Sequence, residues 1–60
     1  MRYKVFDIVE LENGNKAIIK KILKHRKYVV HIISNMGEDL GIKVINKKDI
    51  RQDIFLRNNR

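Results

Sequence analysis

The chain has 60 residues, with 14 Lys plus Arg against 7 Asp plus Glu, a formal charge of +7 and no cysteine. A chain of that length makes one domain and buries only about 60% of the surface its unfolded form exposes. Its core must therefore be economical, and without cysteine neither a disulfide framework nor a Cys-based zinc site can staple it. The charge favours polyanionic partners, nucleic acid first, although the joint richness in Ile, Lys and Asn, residues of A/T-rich codons, accounts for part of the same basicity without any ligand.

Residues 1–7 place no long apolar run behind their charges, so the sequence predicts neither a secretory signal nor a spanning helix, and points to a soluble cytoplasmic protein with no membrane partner. Residues 7–23 read as a β-hairpin turning at Asn13-Gly14. Turn length sets its register, because a slip of one residue exchanges the buried face for the wet one. A two-residue loop would oppose Leu11 with Lys16 and mix charge into both faces. A three-residue loop, Glu12-Asn13-Gly14 with Gly14 in the left-handed region, opposes Val9 with Ala17 and Glu10 with Lys16. Val9, Leu11, Ala17 and Ile19 then share a face, and Glu10 and Lys16 form a cross-strand ion pair on the other.

After Ile19 the alternation breaks at Lys20-Lys21 and resumes at Ile22, the signature of a β-bulge that bends the strand. A polar connection through Lys24, His25, Arg26 and Lys27 leads into a third strand. There Tyr28, Val30 and Ile32 lie on one face, and Val29, His31 and Ile33 on the other. Ser34-Asn35-Met36-Gly37 supplies a turn, and residues 39–45 return as a strand. Asn46 followed by Asp49 resembles a helix start, with Ile50 and Ile54 one helical turn apart, so a short C-terminal helix or 3-10 turn is expected. Phe55 and Leu56 extend it or add a final strand, and residues 57–60 should fray. The fold class is mainly β: a small curled antiparallel sheet, or an SH3-like barrel of four or five strands, across residues 1–60.

Two consecutive curled hairpins followed by a short helical turn resemble the SH3-like small barrels, including the KOW-type modules of ribosomal and transcription proteins. In a KOW-like reading, residues 6–11 are the first strand, Asn13-Gly14 its turn, residues 17–22 the return and residues 28–32 the third strand, with Ala17 where such modules place a glycine. The resemblance implies a platform for RNA, DNA or peptide rather than an enzyme.

Lys20, Lys21, Lys24, Arg26 and Lys27 fall within eight positions, where they can converge on phosphates while Tyr28 or Tyr3 stacks a base. Lysine is also a common guard of edge strands, and that reading needs no ligand. Lys43, Lys47, Lys48 and Arg51 form a second basic group, diluted by Asp49 and Asp53, which a solvated helix face explains as well. The candidate nucleic-acid-binding set is Lys20, Lys21, Lys24, Arg26, Lys27, Tyr28, Lys43 and Lys47. Val29, His31, Ile33 and Ile45 are the candidate interface for a protein partner or a second copy of the chain, since an apolar outer face marks a contact surface unless a helix covers it. His25 and His31 lack acidic neighbours at ligand spacing, so no metal is expected. The acidic residues have nearby structural roles and Ser34, the only serine, belongs to a turn, so no catalytic group, cofactor or small-molecule substrate is expected.

Overall fold

The computed structural model describes residues 3–53. Five strands, β1 (Ile8–Leu11), β2 (Lys16–Leu23), β3 (Lys27–Ile33), β4 (Asp39–Asn46) and β5 (Ile50–Asp53), form one sheet in the order β4-β3-β2-β1-β5. All pairings are antiparallel. The sheet curls into a half-barrel, and the chain reaches β5 through a single 3-10 turn, η1 (Lys47–Asp49). The mainly β expectation therefore holds, with the short C-terminal turn in its 3-10 form.

The β1–β2 hairpin takes the three-residue loop. Ile8 opposes Ile18, Val9 opposes Ala17 and Glu10 opposes Lys16. Leu11 N–H donates to the Asn15 carbonyl at 2.8 Å and Gly14 N–H to the Leu11 carbonyl at 3.0 Å, with Gly14 at φ +94°. The Asn13 side chain accepts the Asn15 N–H at 3.0 Å. Lys20 is the extra residue of a bulge: Ile19 opposes Val30 and Lys21 opposes Val29, with nothing facing Lys20 in the ladder. The β3–β4 turn is built by Ser34, whose Oγ accepts the N–H groups of Met36 and Glu38 at 3.2 and 3.0 Å.

Two details differ from expectation. The first strand starts at Ile8 rather than Phe6, because residues 4–7 close a turn in which Asp7 Oδ2 accepts the Lys4 N–H at 2.9 Å and Phe6 sits at φ +76°. Beyond the 3-10 turn the described chain is extended: Ile50 pairs with Leu11 and the strand runs to Asp53, so Ile50 opens a strand and not a helical turn. Ile54, the Phe55-Leu56 segment and the expected fraying at residues 57–60 lie outside the described residues.

The inner face of the curl carries the core: Val9, Leu11, Ala17, Ile19, Tyr28, Val30, Ile32 and Ile50, with Tyr3 and Ile45 packed against it. Strand alternation on β1, β2 and β3 supplies it, every second residue turning inward. The outer face carries Ile18, Val29, His31 and Ile33, all half-buried. No helix covers them among the described residues.

Candidate nucleic-acid interface

Two elements distant in sequence build the site. The β2–β3 connection is a turn of Lys24, His25 and Arg26. His25 and Arg26 are both left-handed, at φ +63° and +60°. Such backbone costs an L-residue with a Cβ roughly 1–2 kcal/mol, and glycine or asparagine normally occupies it. The second element is η1, held by Asp49 Oδ2, which accepts the Asn46 N–H at 3.0 Å. Lys27 pairs with Asn46 at the end of the β3–β4 ladder, and the ladder runs one step further: Lys47 N–H donates to the Arg26 carbonyl at 2.8 Å.

That extra step closes an open cleft of about 560 Å³ lined by Tyr3, His25, Arg26, Asn46, Lys47, Lys48 and Ile50. Its walls bring three fixed cations and a histidine together with no carboxylate among the lining residues. Ile50 is the buried floor, and Tyr3 forms an aromatic wall, packed edge-to-face on Tyr28 with ring centroids 5.8 Å apart. Chemically the cleft offers point charges and a planar guanidinium to phosphate oxygens. No group of three or more His, Cys, Asp or Glu suited to a metal occurs among the described residues.

The expected basic set is thus divided. Arg26 and Lys47 meet in the cleft, and Lys24 stands exposed in the turn beside it. Lys20, on the bulge, is exposed. The register puts Lys21, opposite Val29, and Lys27, two residues before Val29, on the outer face. Lys43 opposes Val30 on the inner side, in a separate hollow with Glu12 and Asp49, so it adds no charge to the cleft. Tyr28 is 7% exposed and belongs to the core; its ring is spent on packing and cannot stack a base. Lys48 and His25 join the site instead.

The expected interface set divides as well. Val29, His31 and Ile33 share the outer face, but Ile45 opposes Tyr28 and packs against the core on the other side. The outer-face residues of β4 are Ile42, opposite His31, and Val44, opposite Val29, exposed by 64% and 58%. Their alternation was visible in the sequence; which phase faced inward was not.

At the far end of the outer face, His31 Nε2 lies 2.6 Å from Asp39 Oδ1, which also accepts the Gly41 N–H at 2.9 Å. The His31 hydrogen bond, then that of Gly41, hold the Asp39 carboxyl below its ordinary value. Glu10 faces Lys16 in register, and its carboxylate lies 4.0 Å from Arg51.

Fold and site together define a small curled β half-barrel with a basic cleft at one end. Comparison with family models, with curated proteins and with solved structures finds no match. No helix among the described residues is long and apolar enough to cross a membrane.

Proposed function

We propose that the chain is a non-enzymatic module that binds nucleic acid by its phosphate backbone, in the cleft between the β2–β3 turn and η1. One observation carries this reading: two successive residues with side chains, His25 and Arg26, occupy left-handed backbone at the lip of a cleft whose other charges are Lys47 and Lys48. Asn-Gly would relieve that strain, so the turn retains cationic side chains at a cost in stability, a pattern typical of functional positions. The half-barrel is consistent with the SH3-like platform suggested by the sequence. Three fixed cations aimed at phosphate oxygens make the binding chiefly electrostatic and salt-dependent.

The experiment is a fluorescence-anisotropy titration of short single- and double-stranded oligonucleotides across a salt series. Affinity is expected to fall steeply with salt, and replacing Arg26, Lys47 and Lys48 with Gln should flatten that dependence by about 0.7–0.9 in logarithmic slope for each phosphate no longer neutralised. Absence of binding at low salt, or an unchanged slope in the triple variant, ends the proposal.

A second reading, contact with protein, is favoured by the exposed apolar side chains of β4.

A further inference from the structure

Among the described residues β4 is an edge of the sheet, paired with β3 on one side only. At eight residues it equals β2 as the longest strand. An edge offers unpaired N–H and C=O groups to any passing strand, and proteins normally protect it with charge, inward-turned charge, bulges, proline or brevity. Here the outward-turned residues at its centre are Ile42 and Val44, and the inward-turned Lys43 between them is the strand's only lysine. That lysine and the irregularity between Gly41 and Asp39 are the guards of this edge, and between them and Asn46 its outward-turned side chains are apolar.

The charges at its two ends favour one arrangement of a partner strand over the other. Glu38 and Asp39 stand at the start of β4, and Lys47 and Lys48 follow its last residue. A second copy laid antiparallel along β4 sets the acidic start of each strand beside the basic end of the other, whereas a parallel copy opposes acid to acid and lysine to lysine. We infer, resting on the protein-contact reading and independently of nucleic acid, that β4 pairs antiparallel with β4 of a second copy, joining two half-barrels into one continuous sheet.

The register follows from the same residues. Centring the two-fold axis on Lys43 places two ammonium groups directly opposite each other, which is unfavourable. Centring it on Ile42 draws in the irregularity where β3 steps from Gly41 to Asp39. Centring it on Val44 lays the regular stretch from Ile42 to Asn46 along its own copy, with the Asn46 N–H already held by Asp49 Oδ2; it opposes Val44 to Val44 on the outer face, sets each Lys43 against an Ile45, and brings Lys47 opposite Gly41, one diagonal step from Asp39. The interface is isologous and closes at two copies.

The test is the mass in solution by light scattering over a range of concentrations without oligonucleotide, combined with disulfide trapping, which the cysteine-free sequence makes clean. A mass rising to twice the 7.2 kDa of the chain is expected, with Val44→Lys weakening association about tenfold or more. Val44→Cys should cross-link on mild oxidation while Ile8→Cys, three strands away on the same outer face, should not. A monomer at every concentration, dimerisation unchanged by Val44→Lys, or Ile8→Cys cross-linking as fast as Val44→Cys overturns the inference. If Val44→Lys fails to fold, the two cysteine variants decide alone. Arg26→Gln should weaken oligonucleotide binding and leave the mass unchanged, so the two proposals fail separately.

Discussion

Lys47 donates its backbone N–H to the Arg26 carbonyl at 2.8 Å, one step beyond the last strand pair of β3 and β4. This hydrogen bond ties a turn between strands to a turn after a strand, and it is why two basic groups that are separate in sequence share one cleft. Sheet register thus brings the two turns together, and the left-handed backbone at His25 and Arg26 shapes the lip that they form.

The left-handed turn predicts opposite effects on stability and binding. Arg26→Gly should relieve backbone strain and raise unfolding stability by up to about 1 kcal/mol, the gain being reduced by the greater freedom of glycine in the unfolded chain. The same change should weaken oligonucleotide binding and lower its salt slope by about 0.7–0.9. Chemical denaturation and anisotropy on one preparation read both; a variant that loses stability and keeps affinity would contradict the assignment of the turn.

The core should tolerate little. Ile19 is fully buried on β2, just before the bulge. Ile19→Ala is expected to cost about 2–5 kcal/mol, a large part of the stability that so short a chain can hold. Urea unfolding followed by circular dichroism measures it, and a cost below about 1 kcal/mol would mean that the site collapses around the deletion.

Gly14→Ala isolates backbone from packing. A Cβ at this position meets nothing within 4 Å, yet φ is +94°. The expected loss is about 1 kcal/mol or more, all of it conformational. Equal stability of the two proteins would show that the β1–β2 turn can take another form.

Acid should release Asp39. Its carboxyl titrates below its ordinary value because His31, and then the Gly41 N–H, hydrogen-bond the ionised form. A carboxyl lowered in the folded state stabilises the fold above its unfolded value of about 3.9, and that contribution disappears as pH falls through the folded value. The stability difference between the native sequence and Asp39→Asn should therefore shrink as pH is lowered from about 4 toward 2, read by thermal unfolding across that range. A difference independent of pH there would remove the pair as its source.

Local chemistry made the first hairpin legible. Gly14 marks the left-handed turn position, and only one loop length separates Val9, Leu11, Ala17 and Ile19 from Glu10 and Lys16. The Lys20 bulge was legible too, because it breaks a period of two. β4 was ambiguous, since both of its phases contain branched aliphatic residues; the choice of Ile45 over Ile42 and Val44 as the inward phase is made by Tyr28 across the ladder. The spacing of Ile50 and Ile54 suggested a helix because local periodicity carries no information about Leu11, the partner that draws Ile50 into β5. The cleft was legible only in its parts: charge density is written in sequence, but the meeting of Arg26 and Lys47 is a long-range consequence of strand register.

The position of β5 beside β1 bears on how the chain folds. β1 to β4 form a meander in which each strand pairs with its sequence neighbour, so its hairpins can form within about 1–10 μs. β5 must instead return across the curl to the first strand, pairing Val9 with Asp53, and loop-closure entropy opposes that contact until the meander exists. Docking of the last strand is therefore expected to be the slow step, and the side of the half-barrel closed by β5 the first to open in native-state hydrogen exchange.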